Sequence, residues 1–286
     1  MSVKVGKDGL NKQRVLPSTI AINVILAIIS LFVLYPLIYV VAAAFTPGDS
    51  IAGVTPIPFE TGFTLDHFTY LLEKTDYILW FRNTLVIAVG TALMTVVVCS
   101  LSAYVFSRFK FPCRKTLLVS FLILQVFPSF VGMIAMYVIL WRINGLDTLW
   151  GMILIYTAGN VPYNTWLVKN YIDASPKAVD EAARIDGANA FQLFTRVTIP
   201  TIKPILTFLT ITTFAGPWMD YIFPKMALRS PQMQTLALGL YSLVTDKKQY
   251  YTTFAAGAII VAIPFIIFFC LGQKQIISSL SGAVKE

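Results

Sequence analysis

Residues 85–106 read LVIAVGTALMTVVVCSLSAYVF, a run without one Asp, Glu, Lys or Arg. An α-helix needs about 20 mostly apolar residues to cross the hydrocarbon core of a bilayer, where lipid offers no partner to an unpaired backbone group. This run is long enough, and five others share its character: 20–45, 116–140, 149–168, 205–223 and 254–271. The whole chain agrees with them. It is 57% hydrophobic and 13% charged over 286 residues, with a mean hydropathy of +0.73, whereas a soluble domain carries about 25% charged residues. The sequence therefore predicts an all-α polytopic membrane protein with six transmembrane helices. A cytoplasmic N-terminus over 1–19 would precede a six-helix domain over 20–273, and a cytoplasmic C-terminal tail would follow over 274–286.

The first run follows Lys4, Lys7, Lys12 and Arg14 as the apolar part of a signal peptide would. It is too long for one, and Tyr35-Pro36 interrupts the place where such a segment ends. It reads as a retained anchor. With the N-terminus inside, seven of the 22 Lys and Arg residues fall outside: Lys74, Arg82, Arg142, Lys225, Arg229, Lys247 and Lys248. The other fifteen cluster at the N-terminus, over 108–115, over 169–203 and in the tail. That asymmetry obeys the positive-inside rule, although the last outside loop, with four basic residues, runs against it.

The net charge of +8 is thereby a matter of topology. No basic stripe with interleaved aromatics accompanies it, so no nucleic acid partner is expected. Cys99 and Cys270 sit in apolar runs and Cys113 in a short basic loop. None lies in an outside segment, so they read as small apolar fillers and not as a disulfide framework.

Absences narrow the function further. No ionisable residue occupies the middle of a predicted span, and Asp220, near an end, is the only acidic residue inside one. Ion-coupled transporters and intramembrane hydrolases need buried ionisable groups. The single histidine, His67, lies in an outside loop, reads as a surface or loop-packing residue, and cannot form a metal cluster alone. No glycine-rich phosphate cradle is present, and no cofactor is expected. If the chain moves a solute uphill, a partner must supply the energy.

The inside loop at about 170–204 carries helix punctuation of its own. It contains Ala174-Ser175-Pro176-Lys177-Ala178-Val179-Asp180-Glu181-Ala182-Ala183-Arg184-Ile185-Asp186-Gly187. Ser175 followed by Pro176 reads as an N-cap and first-turn pair. Gly187 suits the left-handed residue that closes a helix. Ala178, Ala182 and Ile185 share one face, while Lys177 with Glu181 and Asp180 with Arg184 stand at i,i+4 spacing. Such pairs contribute only about 0.2–0.5 kcal/mol each, so they do not explain the helix. Small alanines on a narrow apolar face suit close approach to a groove.

These residues carry a resemblance. Glu181-Ala182-Ala183, Asp186-Gly187-Ala188, Phe194, Val197, Ile199-Pro200 and Pro204 resemble the EAA loop of ABC importer permeases, with Ile199 where Leu is common. The resemblance implies a type I ABC importer permease core and a coupling helix that docks in a cleft of an ATPase subunit. Glu181, Ala182, Ala183, Ile185, Asp186, Gly187, Ala188 and Pro200 would form that coupling element. The tail residues Ser281, Gly282, Ala283, Val284 and Lys285 are similar to the end of the smaller permease subunit of maltose-type importers, which reaches into the ATPase dimer interface. Trp218, Asp220, Tyr221 and Pro224 resemble a stretch of the same family, with Met219 in place of its Asn. Gly216-Pro217 is expected to kink the fifth span.

In the outside loop 226–251, Thr235, Leu238, Gly239 and Tyr241 resemble the region that reaches an extracytoplasmic solute-binding protein, though its aromatics suit interfacial anchors equally well. The implied partners are a second homologous permease subunit, two copies of an ABC ATPase subunit, the binding protein and membrane lipid, in a bacterial plasma (inner) membrane. The implied role is translocation of a sugar, most nearly of the maltose and maltooligosaccharide type, by a subunit that is not itself an enzyme. An importer permease for a different small solute carries the same loop. A membrane-embedded enzyme would need a carboxylate pair or histidine cluster that the sequence lacks. No substrate-contacting residue can be assigned at this level.

Overall fold

The computed structural model describes residues 17–126, 129–245 and 250–282. Their regular structure is entirely helical. The long helices are α1 (Pro17–Phe45), α3 (Tyr77–Arg108), α6 (Leu149–Asp173) and α13 (Tyr251–Gly282), with the short α2 (Asp66–Lys74) between the first two. The helices α4 (Arg114–Val126) and α5 (Ser129–Arg142) lead into α6, and α7 (Lys177–Ile185) follows it. Beyond α7, α8 (Ala190–Gln192) runs through a π-helical turn (Leu193–Thr198) into α9 (Ile199–Thr201). The remaining helices are α10 (Lys203–Met219), α11 (Ile222–Ala227) and α12 (Leu236–Thr245).

α3 is the central helix, packed against both α6 and α10. Small residues allow the close approach. Ala88, Ala92 and Ala103 are buried, and a Cβ at Gly90 would lie 2.6 Å from the Ile153 side chain. Between lipid-soluble helices such packing, and not water exclusion, drives association. α1 packs against α13 through Ala42, Ala43 and Ala44, while its earlier apolar residues from Ile20 to Ile38 remain exposed, as a lipid-facing surface would.

α1, α3 and α13 are long and apolar enough to cross a membrane, and up to five crossings result if each of two bent helix pairs is one span. The first pair, α4 with α5, meets at 109° where the sequence predicted one run over 116–140. Pro128, which has no N–H to continue a helix, falls between them and lies outside the described residues. The second pair joins the segment Ala190–Thr201 to α10 at 77°. Pro204 occupies the first turn of α10, where a missing N–H is harmless, but it cannot extend the preceding helix. This bend comes before the Gly216-Pro217 pair at which the sequence placed a kink. α10 runs through both residues and stops at Met219, where Asp220 turns extended.

The predicted apolar span 149–168 is also altered. α6 has 25 residues, yet composition does not qualify it as a lipid crossing. Thr157, Asn160, Asn164 and Thr165 dilute its apolar character. His67 is a loop-packing histidine. It is buried, its Nε2 lies 2.8 Å from the Thr46 carbonyl, and its Nδ1 lies 3.3 Å from the Thr253 hydroxyl. It thereby ties α2 to the end of α1 and the start of α13.

Candidate functional site

α7 carries the residues that the sequence singled out, and its ends are well defined. Gly187 has φ +87° and closes the helix. Its N–H donates to the Arg184 carbonyl at 3.0 Å, and the Ala188 N–H donates to the Ala183 carbonyl at 3.0 Å. This paired arrangement is the Schellman cap, which satisfies the last carbonyls and uses a left-handed glycine. The N-terminal expectation was different. Pro176 is the N-cap, and Ser175 donates its hydroxyl back to the Tyr171 carbonyl instead of capping α7.

No residue of α7 is buried. Glu181, Ala182, Asp186 and Gly187 are exposed, Ala183 and Ala188 are half-buried, and Pro200 is exposed beyond the π turn. Ile185 keeps 86% of its surface in the open, and Phe191 73%. Two large apolar side chains on a projection of charged and small residues mark an interaction surface. Beside the cap, Ala183, Asp186, Gly187, Gln192 and Arg196 border a concavity of about 310 Å³.

α7 is nevertheless fastened to the bundle. The expected Asp180–Arg184 and Lys177–Glu181 pairs are not the ion pairs that form among the described residues. Arg108, at the end of α3, donates from Nε to Asp180 Oδ2 at 2.5 Å, with side chains only 7% and 13% exposed. Arg108 also donates to the Ser107 hydroxyl, which donates to Asp173 at the end of α6. Asp173 in turn accepts from Lys169. Burial pushes the Asp173 carboxyl up, but Lys169, Ser107 and Arg114 outweigh it and hold the group below its ordinary value. A polar relay therefore runs from α6 through α3 to α7. Sequence reasoning used Arg108 and Lys169 only as topological charges. Their position at adjoining ends of neighbouring predicted spans was the clue to it.

The far side of the loop is anchored by apolar contact. Asn189 and Gln192 form a reciprocal capping box at the start of α8. Leu193 is then buried, and Phe194 is buried with Cys99, Ala103, Val168, Ile172 and Ile202. The Tyr104 ring packs on Phe194 at 5.2 Å and its hydroxyl donates to the Ala190 carbonyl at 3.4 Å. α7 is thus an exposed bar held at both ends.

The other predicted contacts separate. Thr235 and Leu238 are buried, and Gly239 is interior, where a Cβ would lie 2.0 Å from the Trp80 ring. Of these four only Tyr241 is exposed, with its ring 4.5 Å from that of Tyr221. The same region is latched by Asp147, whose carboxylate accepts the Arg229 and Ser230 N–H groups at 2.8 and 3.0 Å and the Ser230 hydroxyl. Ser281 and Gly282 end α13, while Ala283, Val284 and Lys285 lie outside the described residues, as do Lys247 and Lys248.

Comparison with known proteins gives this arrangement a context. Residues 95–275 match the family described as "Binding-protein-dependent transport system inner membrane component". The chain is 39% identical over 258 residues to the maltodextrin transport system permease protein of Bacillus subtilis, covering 90% of this chain and 92% of that protein. It is 36% identical over 262 residues to the galactooligosaccharides transport system permease protein of the same organism, again covering 90% and 92%. A chain of a bacterial ABC transporter involved in the import of the acidic polysaccharide alginate shares the fold, with a TM-score of 0.75 at 23% identity, covering 93% of this chain and 99% of that one. The chain belongs to the binding-protein-dependent transport family, as a membrane component.

Proposed function

We propose that this family member is one of two permease halves of an ATP-driven importer that carries an oligosaccharide of the maltodextrin class into a bacterial cytoplasm. The observation that carries the reading is α7, a capped helix with no buried residue, fastened at its root by Arg108–Asp180 and beyond its end by Phe194. A free-standing peptide helix of nine residues has little stability in water. Fastened as it is, α7 can press against a neighbour and transmit that neighbour's movement to α3 and α6. The neighbour would be an ATPase subunit, present in two copies, that receives Glu181, Ala182 and Ile185 in a cleft.

On this reading six helices cross the membrane, with α6 as the crossing that is sheltered by protein. The N-terminus and C-terminus are cytoplasmic, in keeping with the clustered Lys and Arg of the inner loops. α13, at 32 residues, extends about 48 Å and outlasts a hydrocarbon core of about 30 Å. It can therefore deliver the tail residues 281–285 to the ATPase pair. A solute-binding protein would meet the opposite face, with Tyr241 the first of the four predicted residues it encounters.

The assignment to maltodextrin follows the relative at 39% identity, and the relative at 36% favours galactooligosaccharide as the second reading. Purification of the native complex in mild detergent should bring down an ATPase subunit and a second permease. Vesicles holding that complex and its binding protein should take up labelled maltodextrin only with ATP. Uptake of galactooligosaccharide alone would select the second reading, and a complex without an ATPase would sink both.

A further inference from the structure

Of the four longest helices among the described residues, α6 alone has a composition that does not suit lipid. Its polar groups are ordered. Tyr156, Asn160 and Tyr163 recur at spacings of four and three and so form one stripe along the helix, with Gly159 beside them. Thr157, Asn164 and Thr165 are buried on another side. The stripe is open: Tyr163 is 51% exposed, Gly159 is exposed, and Tyr156 and Asn160 are half-buried. A Cβ at Gly159 would meet nothing within 4 Å. Tyr156, Gly159 and Asn160, though not Tyr163, border a concavity of about 180 Å³ together with Asp220, Phe223 and the apolar Met133, Met136 and Ile155, and the Tyr156 hydroxyl donates to Asp220 Oδ2 at 2.8 Å.

An amide near the middle of a membrane helix, with a carboxylate close by, is unfavourable against hydrocarbon. Such groups face a bundle interior or a water-filled cavity, and they mark the paths of solutes. Their remaining valences define the solute. Asn160 donates one amide hydrogen to the Tyr156 carbonyl and receives Asn164 at 3.4 Å, which leaves a donor and an acceptor site. Asp220 accepts from the Ile222 and Phe223 N–H groups and from Tyr156, out of about four acceptor sites. The two phenol rings offer flat apolar faces. No Lys or Arg lies on the stripe to hold an anion, and among the described residues no cluster could hold a metal ion. Neutral hydrogen-bonding groups interleaved with aromatic faces match a polyhydroxylated ring with its apolar C–H side.

We propose that the Tyr156–Asn160–Tyr163 stripe, with Asp220 at its end, is a carbohydrate-contacting wall of the translocation route. This rests on the oligosaccharide-importer reading and adds the residues that touch the cargo. The test uses the reconstituted importer with Cys99, Cys113 and Cys270 replaced by Ala. Asn160→Cys and Tyr163→Cys should react with a membrane-impermeant maleimide, and maltodextrin should slow the reaction. Leu93→Cys, on the exposed apolar side of α3, should stay unlabelled. Independently, Asn160→Leu should raise the half-saturating maltodextrin concentration about fivefold, the worth of one hydrogen bond. Gly159→Leu, which meets no steric obstacle at Cβ, should depress uptake of maltodextrin more than that of maltose.

Stripe cysteines that never label, or that label without protection, overturn the proposal while leaving the importer reading intact, provided the unsubstituted complex takes up maltodextrin. Unchanged uptake by both leucine variants overturns it equally. If the unsubstituted complex takes up neither maltodextrin nor galactooligosaccharide, the importer reading and the ligand class fall together.

Discussion

Removing Arg108 isolates the mechanical part of the argument. Its Nε lies 2.5 Å from Asp180, and the two side chains retain only 7% and 13% of their exposure. Taking away one partner of a buried ion pair costs about 3–5 kcal/mol, because the other charge is stranded. Asp180 can escape that penalty by swinging α7 into water, so the lower end, about 3 kcal/mol, is the relevant figure. At 1.4 kcal/mol per factor of ten, the fastened arrangement of α7 becomes roughly a hundredfold less populated. The Phe194 anchor is untouched. Arg108→Gln should therefore assemble with its ATPase in mild detergent yet lose most ATP-driven uptake, with hydrolysis no longer stimulated by loaded binding protein. The charge swap Arg108→Asp with Asp180→Arg should recover part of the uptake, since the pair re-forms in reverse. Arg108→Lys should be intermediate, because it keeps the charge and loses the planar guanidinium. Normal uptake by Arg108→Gln, or a swap no better than either single substitution, would refute the strut.

Three further outcomes follow from local geometry. Gly187→Val should cost about 1–2 kcal/mol of cap stability because of its left-handed backbone, whereas Gly187→Asn should cost less. Limited proteolysis of the 186–189 segment and the uptake rate should both rank glycine, asparagine, valine, and equal behaviour of the two variants would count against the cap. Gly239→Val should lower the thermal midpoint in detergent, since the new side chain meets the Trp80 ring at 2.0 Å and overpacking costs about 1–3 kcal/mol. Tyr241→Ala, on the exposed surface, should leave the midpoint nearly unchanged. Burial raises the Asp147 carboxyl, but Ser230 and Arg229 outweigh it and the net direction is down. A depressed carboxyl stabilises above its unfolded value of about 3.9 and loses that contribution as pH falls through its folded value. Asp147→Asn should thus weaken the latch at neutral pH and flatten the acid arm of the stability profile.

The positions of the helices were legible because hydropathy and capping are local. Residues 85–106 fall within α3, and Gly187 closes α7 where its backbone freedom predicted. What escaped was pairing across the bundle. Asp180 has Arg184 at a suitable helical spacing, yet it takes Arg108, 72 residues away, because that guanidinium is brought to it by the packing of α3 on α6. Thr235 and Leu238 looked like loop residues, but α12 folds over α3 and buries them. The polar side of α6 escaped for a different reason. Its apolar first half, Leu149 to Ile155, masks the polar stripe when the run is judged by its overall character.

That stripe and the relay are on the same helix, and this joins the two proposals. α6 spans 25 residues, about 37 Å as a helical rod. Near its middle stand Asn160 and Tyr163, and at its C-terminal end Lys169 and Asp173 meet Ser107 and Arg108, which holds Asp180 of α7. A displacement of α7 of an ångström or two cannot be absorbed at the root, since the ion pair is short and nearly closed to water. Nor can it be taken up easily along α6, whose packing against α3 includes Gly90 set against Ile153 without room for a methyl group. α6 must then shift or tilt as a unit against its neighbours, the small sliding motion that packed helices permit. The wall that would contact the cargo moves with the bar that would contact the ATPase. Weakening Asp173, for example with Asp173→Asn, should therefore change the maltodextrin protection of a cysteine at position 163 about 15 Å away along the helix axis. Protection that is indifferent to Asp173 would mean that the two ends of α6 move independently, and that coupling reaches the route through α3 or α10 instead.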